Sequence, residues 1–227
     1  MFTLIQSQDF AHNLPLLKAA FRLRKKVFHD QLGWDVPITG NMEFDAYDND
    51  KVQYLMWCSP DRRTLYGLIR LLPTTAPTLL YDVFGATHDH APELIGDDIL
   101  EGTRMCIDDD LIARDFPTLA PGAGFNFLFL ALCEVCLALG ARRMVSNFEP
   151  AMSRVYRRAG LDYVMHGKAD GYGARPVCCA SFEVSMQVLA KMRRIIGIDL
   201  PVVTLPKTFE RLPTYTPAAM PHMALSG

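Results

Sequence analysis

The sequence predicts an α/β sandwich built on one mixed sheet. Two strand-length apolar runs, 52–58 and 65–72, are separated by Ser59-Pro60-Asp61, the chemistry of a tight turn between antiparallel strands. From residue 99 onward the pattern alternates strand, helix, strand, which favours helices packed on a sheet. Between these halves lies a 20-residue apolar stretch, Gly122 to Ala141, with the length of a long central helix.

Each element follows from local pattern. Pro15 to Gln31 has Leu16, Leu17, Ala20, Leu23, Val27 and Phe28 at helical spacing, with Arg22, Arg24, Lys25 and Lys26 on the opposite face. Gly33 stops this helix, and a loop with Pro37 and Gly40 runs to Asn41. After the hairpin, Pro73 and Pro77 end the second strand, and a short helix is expected near Leu79 to Phe84. Ile99 to Ile107 reads as a strand, the long helix follows Pro121, and Arg143 to Phe148 reads as a strand again. Pro150 to Ala159 reads as a helix with proline in its first turn and Gly160 as its stop. Tyr163 to His166 and Val177 to Val184 supply further strands. The organisation expected is one domain over 1–200 and an irregular tail rich in proline and threonine over 201–227.

Bulk properties narrow the function. Half of the 227 residues are hydrophobic and 21% are charged, the balance of a globular protein with one well-buried core. The net charge of -2 argues against a general nucleic-acid surface, and no helix-turn-helix with a basic recognition helix is evident. Gln6, Gln8 and Asp9 interrupt the N-terminus where a secretory signal needs an apolar run, so a cytoplasmic location is expected. In the 122–141 stretch, Asn126 and Glu134 argue against membrane insertion, since a central charge costs roughly 2.5 kcal/mol or more in lipid. The six cysteines, including Cys133 with Cys136 and the adjacent Cys178 and Cys179, show no four-ligand zinc spacing and read as buried thiols. His88-Asp89-His90 reads as a polar loop rather than a metal site.

The first half concentrates charge and large aromatics. Arg24, Phe28 and Trp34 come from the first helix and its following loop, then Glu43, Asp45 and Asp48, then Arg70, and finally Glu101 with Arg104 on a later strand. Arg24 and Phe28 are four apart and share a helix face. Arg70 and Glu101 lie in strands expected to be buried, and buried charges must be paired or hydrogen-bonded. Asp45, Asp48 and Glu101 are the natural partners for Arg24, Arg70 and Arg104. On residue types alone these are structural salt bridges tying the first helix to the sheet.

Arg24, Val27-Phe28, Trp34, the block Glu43-Phe44-Asp45-Ala46-Tyr47-Asp48, Arg70-Leu71-Leu72-Pro73-Thr74, and Glu101 with Arg104 stand in an order and approximate spacing that resembles the LuxI-type acyl-homoserine-lactone synthases. The specific motifs run from about Ala20 to Arg104, and a looser likeness continues to about Met192. The resemblance implies an acetyltransferase-like, three-layer α/β/α sandwich with a mixed, largely antiparallel sheet. It implies an acyltransferase making a quorum-sensing signal from S-adenosylmethionine and an acyl-acyl-carrier protein or acyl-coenzyme A, with release of methylthioadenosine and no separate cofactor.

Under that reading the residues take tasks. Phe28 and Trp34 offer aromatic faces to the sulfonium, an interaction of roughly 0.5–2 kcal/mol. Arg24, Phe28, Trp34, Asp45 and Asp48 shape the S-adenosylmethionine pocket, while Arg70, Glu101 and Arg104 form its sheet-side wall and proton path. Glu101 is the candidate base for the amine, because a strand carboxylate among apolar neighbours has a raised pKa. Arg24 and Arg104 either bind the substrate carboxylate or hold the acidic groups that contact the amine.

Met144, Val145, Ser146 and Phe148 are the candidate acyl-pocket residues, with core packing as the equal alternative. The family's strand here often carries a threonine that favours 3-oxo acyl chains, whereas this chain reads Arg142-Arg143-Met144-Val145-Ser146-Asn147. Thr103 replaces the usual serine before Arg104, and Gly102 stands beside Glu101. Arg154, Arg157, Arg158 and Lys168 form a basic patch suited either to an acidic carrier protein or to plain solvation. The competing readings are an N-acyltransferase of the same fold acting on another amine, for which Pro121-Gly122-Ala123-Gly124 is a feeble pyrophosphate loop, and a non-catalytic ligand-binding homologue.

Overall fold

A computed structural model describes residues 1–212 of the chain. Eight strands form one mixed sheet in the order β10-β1-β4-β5-β6-β7-β9-β8. They are β1 (Phe2–Ile5), β4 (Gln53–Cys58), β5 (Leu65–Pro73), β6 (Ile99–Ile107), β7 (Arg143–Phe148), β8 (Val164–Ala169), β9 (Val177–Glu183) and β10 (Val203–Thr204). A separate two-stranded ribbon, β2 (Ile38–Thr39) and β3 (Met42–Glu43), turns at Gly40. The expected hairpin is β4 against β5, antiparallel. Neighbours β6 and β7 are parallel, because the chain crosses between them through α3 (Asp109–Asp115) and α4 (Gly124–Leu139).

Strand alternation sorts the core into two faces. Leu55, Trp57, Ile69, Leu71, Leu100 and Met144 pack with α4. Tyr54, Met56, Leu68, Leu72 and Cys106 pack on the opposite face with Leu16, Leu17, Ala20 and Leu23 of α1 (Leu14–Arg24). The chain is therefore a three-layer α/β/α sandwich. Helix α4 is buried along most of its length and ends at Gly140, whose φ of +89° is the left-handed cap a glycine supplies. Its Glu134 accepts from Arg193 on α6 (Met186–Ile196) and from the backbone N–H groups of Val202 and Val203. No helix among the described residues is long and apolar enough to cross a membrane.

Several expectations are corrected. The first helix is not uniform: after Arg24 it widens into a π-helical segment, Lys25–Gln31, which turns Phe28 into the core. Arg24, expected on the charged outer face, is fully buried at its C-terminal end. Strands β1 and β10 and helices α3 and α6 were not anticipated. The tail expected from 201 instead adds β10 parallel to β1, and the Leu212 N–H donates to the Leu139 carbonyl; residues 213–227 lie outside the described residues. His88, expected in a polar loop, is buried, accepting from the Ala91 N–H on Nδ1 and donating from Nε2 to the Leu80 carbonyl of α2 (Leu79–Asp82). All six cysteines are buried and free.

Candidate active site

Strands β6 and β7 share only three rungs, Ile99–Arg143, Leu100–Met144 and Glu101–Val145. Beyond them the strands part, and a cavity of about 330 Å³ opens in the fork. One wall is β6 from Glu101 to Ile107, the other β7 from Ser146 to Phe148, with Phe28 and Trp34 above and Phe125, Met152 and Tyr156 below. The Ser146 hydroxyl donates to the Gly102 carbonyl at 2.8 Å across the start of the fork.

A bulge in β6 shapes the first wall. Opposite β5 the register shifts between Leu68–Cys106 and Arg70–Thr103, which leaves one extra residue on β6. Arg104 takes up the irregularity with φ +52°, a left-handed conformation uncommon for a side chain of this size. Two consecutive side chains therefore point to the α1 face. Thr103 accepts from Arg70 Nε at 2.9 Å, and Arg104 reaches Glu43 and Asp45, while Met105 returns to the α4 side.

Behind this wall three arginines and three carboxylates interlock. Arg24 donates to Glu43 at 2.5 Å and forms a two-toothed pair with Asp48 at 2.7 and 2.8 Å. Arg70 bridges Asp45 at 2.6 Å and Asp48 at 2.8 Å. Arg104 contacts Glu43 at 3.2 Å and Asp45 at 3.0 Å, with its guanidinium 5.6 Å from the Phe28 ring centre. The Tyr54 hydroxyl and the Asp45 N–H also donate to Asp48. Burial opposes the Asp48 charge, but Arg24, Arg70 and Tyr54 outweigh it and hold the carboxyl well below its usual range. The Arg24 guanidinium is likewise held above its ordinary value, because Asp48 and Glu43 outweigh its burial. Arg104 goes the other way: burial and the repulsion of Arg70 and Arg24 lower it despite Glu43 and Asp45.

Glu101 stands apart. It is completely buried and outside every ion pair among the described residues; the Leu79 and Leu80 N–H groups face it without reaching full hydrogen-bond geometry. Burial pushes its pKa up to about 7, against the pull of the Leu80 and Leu79 N–H groups and of Arg70 and Arg104. A carboxyl poised there accepts a proton near neutral pH.

The structure divides the predicted site residues into those that line the cavity and those that support it. Phe28, Trp34, Glu101 and Arg104 line it, as do Ser146 and Phe148. Arg24, Asp45, Asp48 and Arg70 do not; they spend their polar groups on one another behind β6. Glu101 was expected to pair with an arginine, and Glu43 takes that place because the β2–β3 ribbon delivers it between Arg24 and Arg104. Met144 and Val145 belong to the core, below the fork: Met144 faces α4, and Val145 packs with Leu80 and Ile99 on the other face. Arg154, Arg157 and Arg158 are exposed on α5 (Met152–Arg158), and Lys168 is exposed on the edge strand β8.

Sequence reasoning missed Glu149 and Arg175. Trp34 Nε1 donates to Glu149 at 3.1 Å and Arg175 donates to its other oxygen at 3.0 Å, joining three loops at the cavity mouth. No spacing signal links residues 34, 149 and 175. Among the described residues no group of three or more His, Cys, Asp or Glu side chains is arranged to hold a metal.

Comparison with known proteins bears on the family and the fold. The sequence model of the family described as autoinducer synthase matches residues 9–190. An acyl-homoserine-lactone synthase of Agrobacterium fabrum is 33% identical over 144 residues, covering 63% of this chain and 67% of that protein. One of Ralstonia nicotianae is 33% identical over 177 residues, covering 74% of this chain and 82% of its own. In fold, the chain is similar to a CoA-dependent acyl-homoserine lactone synthase, BjaI, solved with SAM and isopentyl-CoA, at a TM-score of 0.78 and 23% identity over 91% of this chain and 93% of that one. With its fold, its ordered charged residues and a family match over four-fifths of its length, the chain belongs to the autoinducer synthase family.

Proposed function

We propose that the chain transfers an acyl group from a phosphopantetheine thioester to the amine of S-adenosylmethionine and closes the product to an N-acyl-homoserine lactone. The observation that carries this reading is Glu101, a fully buried carboxyl outside every ion pair among the described residues, at the point where β6 and β7 part. In the reaction it takes the proton that the substrate ammonium must lose. The freed nitrogen lone pair attacks the thioester carbonyl, and as the tetrahedral adduct collapses the nitrogen gives up a second proton to the departing sulfur, which leaves as the thiol. The substrate's own carboxylate then displaces methylthioadenosine from the carbon bearing the sulfonium, a step that needs chiefly positioning. S-adenosylmethionine is consumed as a substrate, so these steps call on no further cofactor.

Phe28 and Trp34, with ring centres 5.0 Å apart, are suited to the sulfonium and its adenosine. Ser146, Phe148, Phe125 and Met152 offer an apolar path for the acyl chain. The donor is an acyl-coenzyme A or an acyl-carrier protein; both present the same pantetheine arm, and both are cytoplasmic pools. The exposed arginines of α5 suit the phosphates of either. Purified chain incubated with S-adenosylmethionine and a set of acyl-coenzyme A and acyl-carrier thioesters should release free thiol together with a mass-identified lactone. Glu101→Gln should lower turnover by roughly 10²-fold or more. Near-normal turnover in that variant would remove Glu101 from the base role, and absence of any lactone from every donor would defeat the reading.

A further inference from the structure

The reaction develops negative charge on the thioester oxygen, and so far only Glu101 has been given a chemical task inside the fork. We propose that the side-chain amide of Asn147 is a further catalytic group, donating a hydrogen bond from Nδ2 to the thioester carbonyl oxygen as it becomes an oxyanion. This inference rests on the acyl-transfer reading above.

The argument begins with strand parity. Asn147 is two residues past Val145, the rung of Glu101, and therefore projects to the same sheet face. Successive residues of a strand advance about 3.3 Å, so the amide enters the cavity roughly 7 Å along β7 from that rung. A thioester carbonyl attacked by an amine beside Glu101 falls within that span. Ser146, by contrast, turns to the opposite face and spends its proton on the Gly102 carbonyl.

The amide is held from behind. Its Oδ1, at 2.9 Å, shares the single hydroxyl proton of the fully buried Thr87 with the Phe84 carbonyl at 2.7 Å. The turn carrying Thr87 is wedged against β8: a Cβ built on Gly167 would stand 2.4 Å from the Thr87 carbonyl oxygen. With Oδ1 turned to Thr87, Nδ2 is buried at the cavity and has no hydrogen-bonding partner among the described residues. Buried amide nitrogens are paired in the great majority of cases, so an unpartnered donor lining the same cavity as Glu101 is suited to a substrate acceptor. A preorganised donor of this kind acts on the charge that forms during reaction, so its removal is read in kcat rather than in KM.

The test is steady-state kinetics of Asn147→Val and Asn147→Asp with unsubstituted and 3-oxo acyl thioesters, alongside calorimetric binding of S-adenosylmethionine. The expected result is a fall in kcat of roughly 10²-fold in both variants and with both donors, S-adenosylmethionine affinity staying within about threefold of wild type. Thr87→Val, which releases the anchor but keeps the donor, should lose less. Turnover within about threefold of wild type in Asn147→Val overturns the proposal. Near-normal turnover in Asn147→Asp also overturns it, because the amide oxygen would then be the group facing substrate. A loss confined to 3-oxo donors assigns Asn147 to the acyl substituent and overturns the oxyanion role. An active wild type with unaffected variants defeats this inference alone, whereas an inactive wild type defeats the reading beneath it.

Discussion

Glu101 and Val145 form the last rung between β6 and β7, so the buried carboxyl stands where the sheet stops being continuous. It projects onto the sheet face shared by Val145, Ile99 and Leu80, where the Leu79 and Leu80 N–H groups offset its burial only in part.

This burial sets a pH dependence for stability. The Glu101 pKa rises from 4.5 to about 7 on folding, so the folded state holds its proton more tightly than the unfolded chain. The contribution is fully present below about pH 4.5 and is lost as pH rises through about 7. Glu101→Gln should therefore melt several degrees higher than wild type at pH 8, and at the same temperature near pH 4, in thermal unfolding at the two pH values. The upper bound is on the order of 3 kcal/mol.

The same shift predicts a kinetic profile. The kcat/KM for acylation should climb with pH through about 7 and then level, because only the ionised Glu101 accepts the ammonium proton. A profile flat from pH 5.5 to 8.5 would take the base role away from Glu101.

The buried ion network titrates in the opposite sense. Asp48 is held below its ordinary value, so its contribution is present at neutral pH and fades as pH falls below about 4. Asp48→Asn leaves Arg24 and Arg70 short of a counter-charge and should destabilise the fold by about 3–5 kcal/mol, measured by denaturant unfolding at pH 7. The penalty relative to wild type should shrink in acid.

Trp34 combines a ring against Phe28 with an N–H on Glu149. Trp34→Ala should raise the KM for S-adenosylmethionine roughly 2- to 30-fold. Trp34→Phe, which keeps the ring and gives up the N–H, should raise it less. Unchanged affinity in Trp34→Ala would mean that the sulfonium lies elsewhere.

Charge reversal at Arg154 and Arg158, both exposed on α5, should raise the apparent KM for an acyl-carrier donor and weaken its salt dependence. Unchanged values would show that the carrier docks on another face.

Pattern alone located much of this fold. The bounds expected for β6 and β7 coincide with those observed, although both strands carry polar and charged residues among their apolar ones. The helix after β9 escaped notice although α6 is clearly amphipathic, with Leu189 and Met192 buried, whereas β10 inside 201–212 is only two residues long. The site was legible as a set of residues and not as an arrangement. Arg104 and Thr103 share a face only because of a bulge, and nothing in a one-dimensional pattern reports a single extra residue on a strand. Likewise Glu43 and Glu101 are equivalent as letters. The β2–β3 ribbon places one between two arginines, and the other lies buried outside every ion pair among the described residues.

The parity of β7 has a consequence for how such an enzyme can change its product. Ser146 and Phe148 border the acyl path while Val145 and Asn147 look toward the opposite face, and antiparallel pairing with β9 locks both sets at once. Sliding or lengthening β7 by one position would exchange the two sets together, presenting the amine side with the acyl wall. New signals can therefore arise in this scaffold by swapping side chains at fixed positions, whereas an inserted residue in β7 would cost the whole reaction.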